Sequence, residues 1–129
     1  MIQFHLERSG VPAYLQIVQQ VRQAVRLGVL RPGDQLPTVK EVVGSLTINP
    51  NTVLRAYHQL DLEGLVEGRR GVGTFVSAEA GPPPPDDAKE LRQALQRWLT
   101  RARAAGLDDE TIATLFSDTL RPPAVSRVA

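Results

Sequence analysis

Residues 36–76 read LPTVKEVVGSLTINPNTVLRAYHQLDLEGLVEGRRGVGTFV, and the order of local signals inside them decides the fold. Thr38-x-x-Glu41 matches a capping box, in which each side chain covers an orphan backbone N–H, and predicts a helix running to about Leu46. Asn49-Pro50 opens another helix, because Asn is a strong N-cap and Pro is pre-set for the first helical position. Val53, Ala56, Tyr57 and Leu60 give that helix an inner face, and Gly64 stops it as a left-handed cap. Leu65-Val66-Glu67 and Thr74-Phe75-Val76 are β-prone runs around Gly68-Arg69-Arg70-Gly71-Val72-Gly73, a pattern for a hairpin with a flexible, cationic tip.

Upstream, apolar Ile2, Phe4 and Leu6 alternate with polar Gln3, His5 and Glu7, so residues 1–10 are expected to form an extended arm with one buried side. Pro12 suits a first helical turn, and Tyr14, Ile17, Val18, Val21, Ala24 and Val25 form a buried stripe on a helix ending near Gly28. Arg31-Pro32-Gly33-Asp34 predicts a type II turn. Downstream, Gly81 and Pro82 to Pro85 make a stiff spacer. Leu91, Leu95, Trp98, Ala102 and Ala105 then recur at helical spacing, and Gly106 closes that helix. Asp108 or Asp109 caps a last helix carrying Ile112, Leu115, Phe116 and Leu120, which Arg121-Pro122-Pro123 ends. Two such helices cannot enclose a core alone and need a partner surface.

The expected organisation is therefore mainly α with a small β-hairpin. A winged helix-turn-helix domain spans residues 1–77, a Pro-rich linker 78–86, a two-helix module 87–122 and a tail 123–129. An apolar content of 42% suits a globular chain of 129 residues. With no cysteine, disulfides and Cys-based zinc sites are excluded, and neither a signal pattern nor a membrane-length apolar run is present, so a cytoplasmic protein is expected. The net charge of +1 decides little; residues 1–76 hold 8 Lys/Arg against 6 Asp/Glu, and residues 77–129 hold 7 against 8.

Two helices joined by a tight turn, with the first turn of the second exposed, are the parts of a DNA reader, since the major groove admits one helix. That turn carries Asn49, Asn51 and Thr52; Asn51, Arg55 and Gln59 follow at four-residue spacing on the face opposite Val53, Ala56 and Leu60. Asn can bond adenine bidentately and Arg guanine. Thr38 and Lys40 begin the preceding helix and are placed near the phosphate backbone; Arg69, Arg70 and Gly71 suit a minor groove or phosphates. Each residue also has a plainer reading. Asn49 and Thr38 are helix caps first, Arg55 can be a solubilising charge, and a Gly-rich tip with two arginines is commonly a solvated hairpin. Nothing near His58 supplies metal-ligand spacing, and no metal or cofactor is expected.

Residues 12–76 closely resemble the winged helix-turn-helix domain of GntR-family bacterial transcription regulators. The resemblance rests on Tyr14-Leu15-Gln16-Ile17, the run from Leu30 to Pro37, Asn49-Pro50-Asn51-Thr52-Val53, Glu63-Gly64-Leu65-Val66 and the run from Arg69 to Val76. In that family the position of Lys40 is usually arginine; lysine keeps the charge and loses the bidentate fork. The position of Thr47 is commonly glycine, and a left-handed threonine there costs roughly 1 kcal/mol. The two-helix tail resembles the YtrA subfamily, which implies dimerisation through Leu91, Leu95, Trp98, Leu99, Ile112, Leu115 and Phe116. The alternative is a tail folded back on its own winged domain.

The resemblance implies a homodimeric, sequence-specific regulator, a repressor on a palindromic double-stranded operator. The helix of about residues 49–63 would lie in the major groove and the wing 68–73 on the minor groove or phosphates. Activation is one alternative and a protein-binding winged helix without DNA affinity another; acidic residues at 51, 55, 69 or 70 would have marked the latter, and none is present. An enzyme is not expected, because the segment after the spacer is too short for a catalytic fold. A small-molecule effector is possible in kind without being evident in the sequence.

Overall fold

A computed structural model describes residues 2–81 and 85–121 and divides the chain into two units, Met1–Pro85 and Asp86–Ala129. Three prolines of the expected spacer (82–84), Pro122 and the expected tail 123–129 lie outside the described residues. The first unit contains α1 (Ala13–Arg26), α2 (Val39–Leu46), α3 (Pro50–Leu62), β1 (Val66–Arg69) and β2 (Gly73–Val76). The second contains α4 (Ala88–Ala104) and α5 (Asp109–Leu120). The expected class, mainly helical with one antiparallel hairpin, is the observed one.

The core of the first unit is where the two long helical stripes meet. Ile17, Val18, Val21 and Ala24 of α1 are buried together with Val53, Ala56, Tyr57 and Leu60 of α3. The two helices run side by side in the same direction: Arg55 lies over Tyr14, and eight residues further along Arg22 of α1 pairs with Glu63, the C-cap of α3. Arg22 Nε donates to Glu63 Oε1 at 2.7 Å, and a second, parallel bond joins Arg22 Nη2 to Glu63 Oε2. Helix α1 starts one residue later than its proline suggested. Pro12 is extended (φ −56, ψ 148) and acts as N-cap, its carbonyl accepting from Leu15 and Gln16 at 3.1 Å each.

The N-terminal arm docks as its alternation predicted, with Phe4 buried and Ile2 and Leu6 packed against the core. Its backbone is satisfied by side chains rather than by a sheet. The Gln20 amide accepts from His5 N at 3.1 Å and donates to His5 O at 2.7 Å. Gln16, one helical turn earlier, does the same for Glu7 at 2.9 and 3.0 Å. Two glutamines at i, i+4 on one helix thus imitate a neighbouring strand for alternate arm residues.

Both helix starts of the central block are capped as their residues dictate. Thr38 Oγ1 accepts from Glu41 N at 3.1 Å, and Glu41 Oε1 accepts from Thr38 N at 3.0 Å. The Thr38 N–H, and secondly the Thr38 hydroxyl, hold the Glu41 carboxyl below its ordinary pKa. Asn49 Oδ1 accepts from Asn51 N at 2.8 Å, with Pro50 in the first helical position. Between the helices Thr47 sits in the left-handed region (φ 54, ψ 52), the only non-glycine residue at positive φ among the described residues. The buried Tyr57 hydroxyl donates to Pro37 O at 2.6 Å and ties α3 to the entry of α2. Burial, and secondly the charge of Glu41, push that phenol up beyond its ordinary range.

The wing is held more firmly than a hairpin alone. After the turn at Arg31–Asp34, Leu36 N donates to Thr74 O at 2.8 Å, Val76 N to Asp34 O at 2.8 Å, and Gly33 N to Val76 O at 2.9 Å. Residues 33–36 therefore occupy the free edge of β2, while β1 pairs with its other edge from Val66↔Val76 to Arg69↔Gly73. A Cβ on Gly73 (φ 142) would stand 2.6 Å from Gln35 Nε2, so glycine is what lets that amide reach Val72 O.

In the second unit Asp108, not Asp109, caps α5, its Oδ1 accepting from Thr111 N at 2.8 Å. Trp98 and Phe116 stack with ring centroids 5.1 Å apart and planes tilted by 48°. Only Ala102 and Ile112 are buried there among the described residues.

Candidate nucleic-acid interface

The first turn of α3 presents Asn49 and Asn51 to solvent and half-buries Thr52. The Asn49 side-chain oxygen is already committed to the cap, which leaves its amide N–H groups for an outside partner. Asn51, two residues into the helix, carries no such commitment among the described residues. Thr38 is likewise occupied by its capping box, whereas Lys40 is exposed and forms no ion pair among the described residues. The readings of Asn49 and Thr38 as caps are thus both borne out in geometry; a role on DNA would be additional.

Arg55 is not a freely moving surface charge. Its Cζ lies 3.8 Å from the centroid of the Tyr14 ring on α1, a cation–π stack across two helices. Gln59, expected on the same face, is already engaged, donating from Nε2 to Glu63 Oε2 at 2.9 Å. The Glu63 carboxyl, bonded first by Arg22 and also by Gln59, is held below its ordinary pKa. Leu54, which the periodic reading passed over, stands 52% exposed beside Arg55 and one turn from Asn51. Its residue type gave no polar signal, but a leucine exposed there offers an apolar contact of the kind a thymine methyl accepts.

The two wing arginines are not equivalent. The sequence placed both at a flexible tip, whereas Arg69 is the last residue of β1. Its guanidinium stacks over Phe75 at 4.3 Å, and Nη2 donates to Glu67 Oε1 at 3.1 Å. The reason is the pleat: residues 67 and 69 share one face of β1, and Phe75 lies directly across from Glu67. The true tip is the turn Arg69–Val72, closed by Val72 N donating to Arg69 O at 2.9 Å, with Gly71 at φ 75. Arg70 projects from that turn, exposed and without an ion pair among the described residues. It is the wing's available cation.

An apolar groove of about 180 Å³ lies between the arm and α2, lined by Ile2, Phe4, Pro37, Val42 and Leu46 with Gln3, Glu41 and Ser45. It is smaller than the roughly 300 Å³ of a drug-sized pocket. No group of three or more potential metal ligands occurs among the described residues.

A capped recognition helix, a basic wing and a preceding capped helix in one unit agree with what the comparisons show. The family model described as bacterial regulatory proteins, gntR family, matches residues 13–76. Over 106 residues the chain is 36% identical to the HTH-type transcriptional repressor YtrA of Bacillus subtilis, covering 81% of this chain and 82% of that relative. The chain belongs to the GntR family. As a GntR-family protein it is a transcriptional regulator with a winged helix-turn-helix DNA-binding domain, and the family members it matches are regulators rather than enzymes. Among solved structures, one described as a transcriptional antiterminator from Listeria monocytogenes EGD-e aligns with 99% of this chain and 97% of its own length (TM-score 0.60, 27% identity). The AraR DNA-binding domain in complex with an operator aligns with 60% of this GntR chain and 93% of its own (TM-score 0.51, 26% identity). No helix among the described residues is long and apolar enough to cross a membrane.

Proposed function

We propose that this GntR-family chain is a homodimeric, cytoplasmic repressor that binds a palindromic operator. Helix α3 enters the major groove with Asn49, Asn51 and Thr52 toward base edges, and Arg55 beside them. Thr38 and Lys40 at the start of α2 meet phosphates, and the wing contributes Arg70 and Gly71, with Arg69 bracing the hairpin. The single observation that carries the dimer is the second unit. Leu91, Leu95, Trp98 and Leu115 are 66%, 44%, 37% and 41% exposed in the isolated chain, and Leu99 and Phe116 are only half-buried. Two helices with such a face are stable when a second copy covers it. Ile112, expected at that interface, is only 4% exposed and is already spent inside the helix pair, so the contact falls to the other six residues.

The repressor assignment draws on the similarity to YtrA, which is itself described as a repressor. It also needs no surface beyond one that occupies DNA. The deciding experiment is light scattering of the free protein together with gel shifts on a palindromic duplex and on its isolated half-site. The palindrome should be bound as a dimer, more tightly than the half-site and with strong salt dependence. A monomeric protein, or equal affinity for both duplexes, would sink the dimeric reading.

A further inference from the structure

We infer that Tyr14 is a positioning residue for DNA binding: its ring holds the Arg55 guanidinium in place to meet a backbone phosphate. The inference rests on the DNA-binding reading above and adds to it a residue from a helix that carries no recognition motif.

Three observations converge. Tyr14 is half-buried and packed against the core of the first unit, so the domain and not the ligand sets its ring position. Arg55 lies over that ring at 3.8 Å, which restricts a long side chain to one arrangement before any partner arrives. Arg55 also has no ion pair or hydrogen bond among the described residues, so its in-plane N–H edges stay open. Arg69 supplies the contrast inside the same unit. It too is stacked, over Phe75, but its N–H edge is satisfied by Glu67. A guanidinium that is oriented yet unpaired is prepared for an external oxyanion.

The direction of the stack selects which oxyanion. Arg55 leans off α3 onto the neighbouring helix α1, whereas Asn51 and the exposed Leu54 belong to α3 alone. A side chain drawn to the flank of a recognition helix meets the wall of the groove, and the wall is phosphate. Its contribution is then to affinity and salt dependence and not to the choice of bases.

The test is a double-mutant cycle on the full chain, read as affinity for an operator duplex selected from a random-sequence pool. Tyr14→Phe keeps the ring and should bind within twofold of the parent. Tyr14→Leu should weaken binding about fivefold, the scale of a partly exposed cation–π contact. In an Arg55→Ala background the same Tyr14→Leu change should cost less than twofold. Arg55→Ala should weaken all operator variants alike and reduce the salt slope by about one. Equal cost of Tyr14→Leu in both backgrounds would show a merely structural tyrosine and overturn the inference. A loss in Tyr14→Phe as large as in Tyr14→Leu, or an Arg55→Ala defect confined to one base pair, would overturn it too. Failure of the parent chain to bind any duplex in the pool would bring down the DNA-binding reading and this inference together.

Discussion

The two units of this chain solve the problem of burial in opposite ways. Among the described residues the winged unit buries fourteen apolar residues in one continuous cluster, drawn from the arm, three helices, the α1–α2 connection and both strands. The two-helix unit buries two of its described residues, Ala102 and Ile112, and leaves Leu91, Leu95, Trp98, Leu115 and Leu120 exposed. The first therefore has the means to hold its DNA-reading surface by itself, and the second has not enough core to explain why it is helical. The contrast teaches that the winged unit sets the geometry of its site within the single chain, whereas the exposed apolar face of α4 and α5 is the feature the proposed dimer would cover.

The most severe test strikes the side of the contrast that claims self-sufficiency. Leu60 is fully buried between α1 and α3. Replacing it with alanine should destabilise the winged unit by about 2–5 kcal/mol, the range for a buried leucine, read as a lower urea midpoint. An effect near zero would mean that the cluster is not the source of that unit's stability. Next comes the other side. Leu95→Asp with Trp98→Asp should return the mass in light scattering to the 14.1 kDa of one chain. Affinity for a palindromic duplex should fall about a hundredfold as the linked second half-site is lost. Half-site affinity should stay unchanged, because the winged units remain folded.

A smaller effect concerns the turn between α2 and α3. Thr47 holds a left-handed backbone that suits glycine, so Thr47→Gly should raise the thermal midpoint by the equivalent of about 1 kcal/mol. A loss of stability instead would show that the threonine side chain offsets the strain through contacts of its own.

These tests also mark where the sequence was legible. The capping box at Thr38 and Glu41, the Asn49-Pro50 start and the Gly64 stop are local events, written within four residues, and each stands in the structure as read. The stack of Arg55 on Tyr14, the pairing of Arg22 with Glu63 and the grip of Gln16 and Gln20 on the arm are not local. They depend on which helix lies against which, and no spacing rule reports that. The same limit explains the wing. Two adjacent arginines look alike in a sequence, and only the pleat and a phenylalanine on the opposite strand separate a braced Arg69 from an available Arg70.

The smallest effect tests whether the long-range contacts of the winged unit hold it together or merely decorate it. Glu63 is held below its ordinary pKa chiefly by the Arg22 guanidinium, with Gln59 assisting. A carboxyl whose folded pKa is depressed contributes stability that is fully present above its unfolded value, near 4.5, and is lost as pH falls through the lower folded value. The Arg22 side chain is 41% exposed and that of Glu63 24%, so solvent screens the pair and its contribution at neutral pH should not exceed about 1 kcal/mol. Glu63→Gln should accordingly lower the neutral-pH urea midpoint slightly and flatten the decline between about pH 5 and pH 3, relative to the parent chain. Asp108, held low first by the Thr111 hydroxyl and then by the Thr111 N–H it caps, follows the same sign in the other unit, and Asp108→Asn keeps a capping oxygen while removing the titration. If Glu63→Gln leaves the acid limb of the melt untouched while Asp108→Asn flattens it, the acid-sensitive step lies in the two-helix unit. The α1–α3 pairing would then rest on its apolar stripe alone.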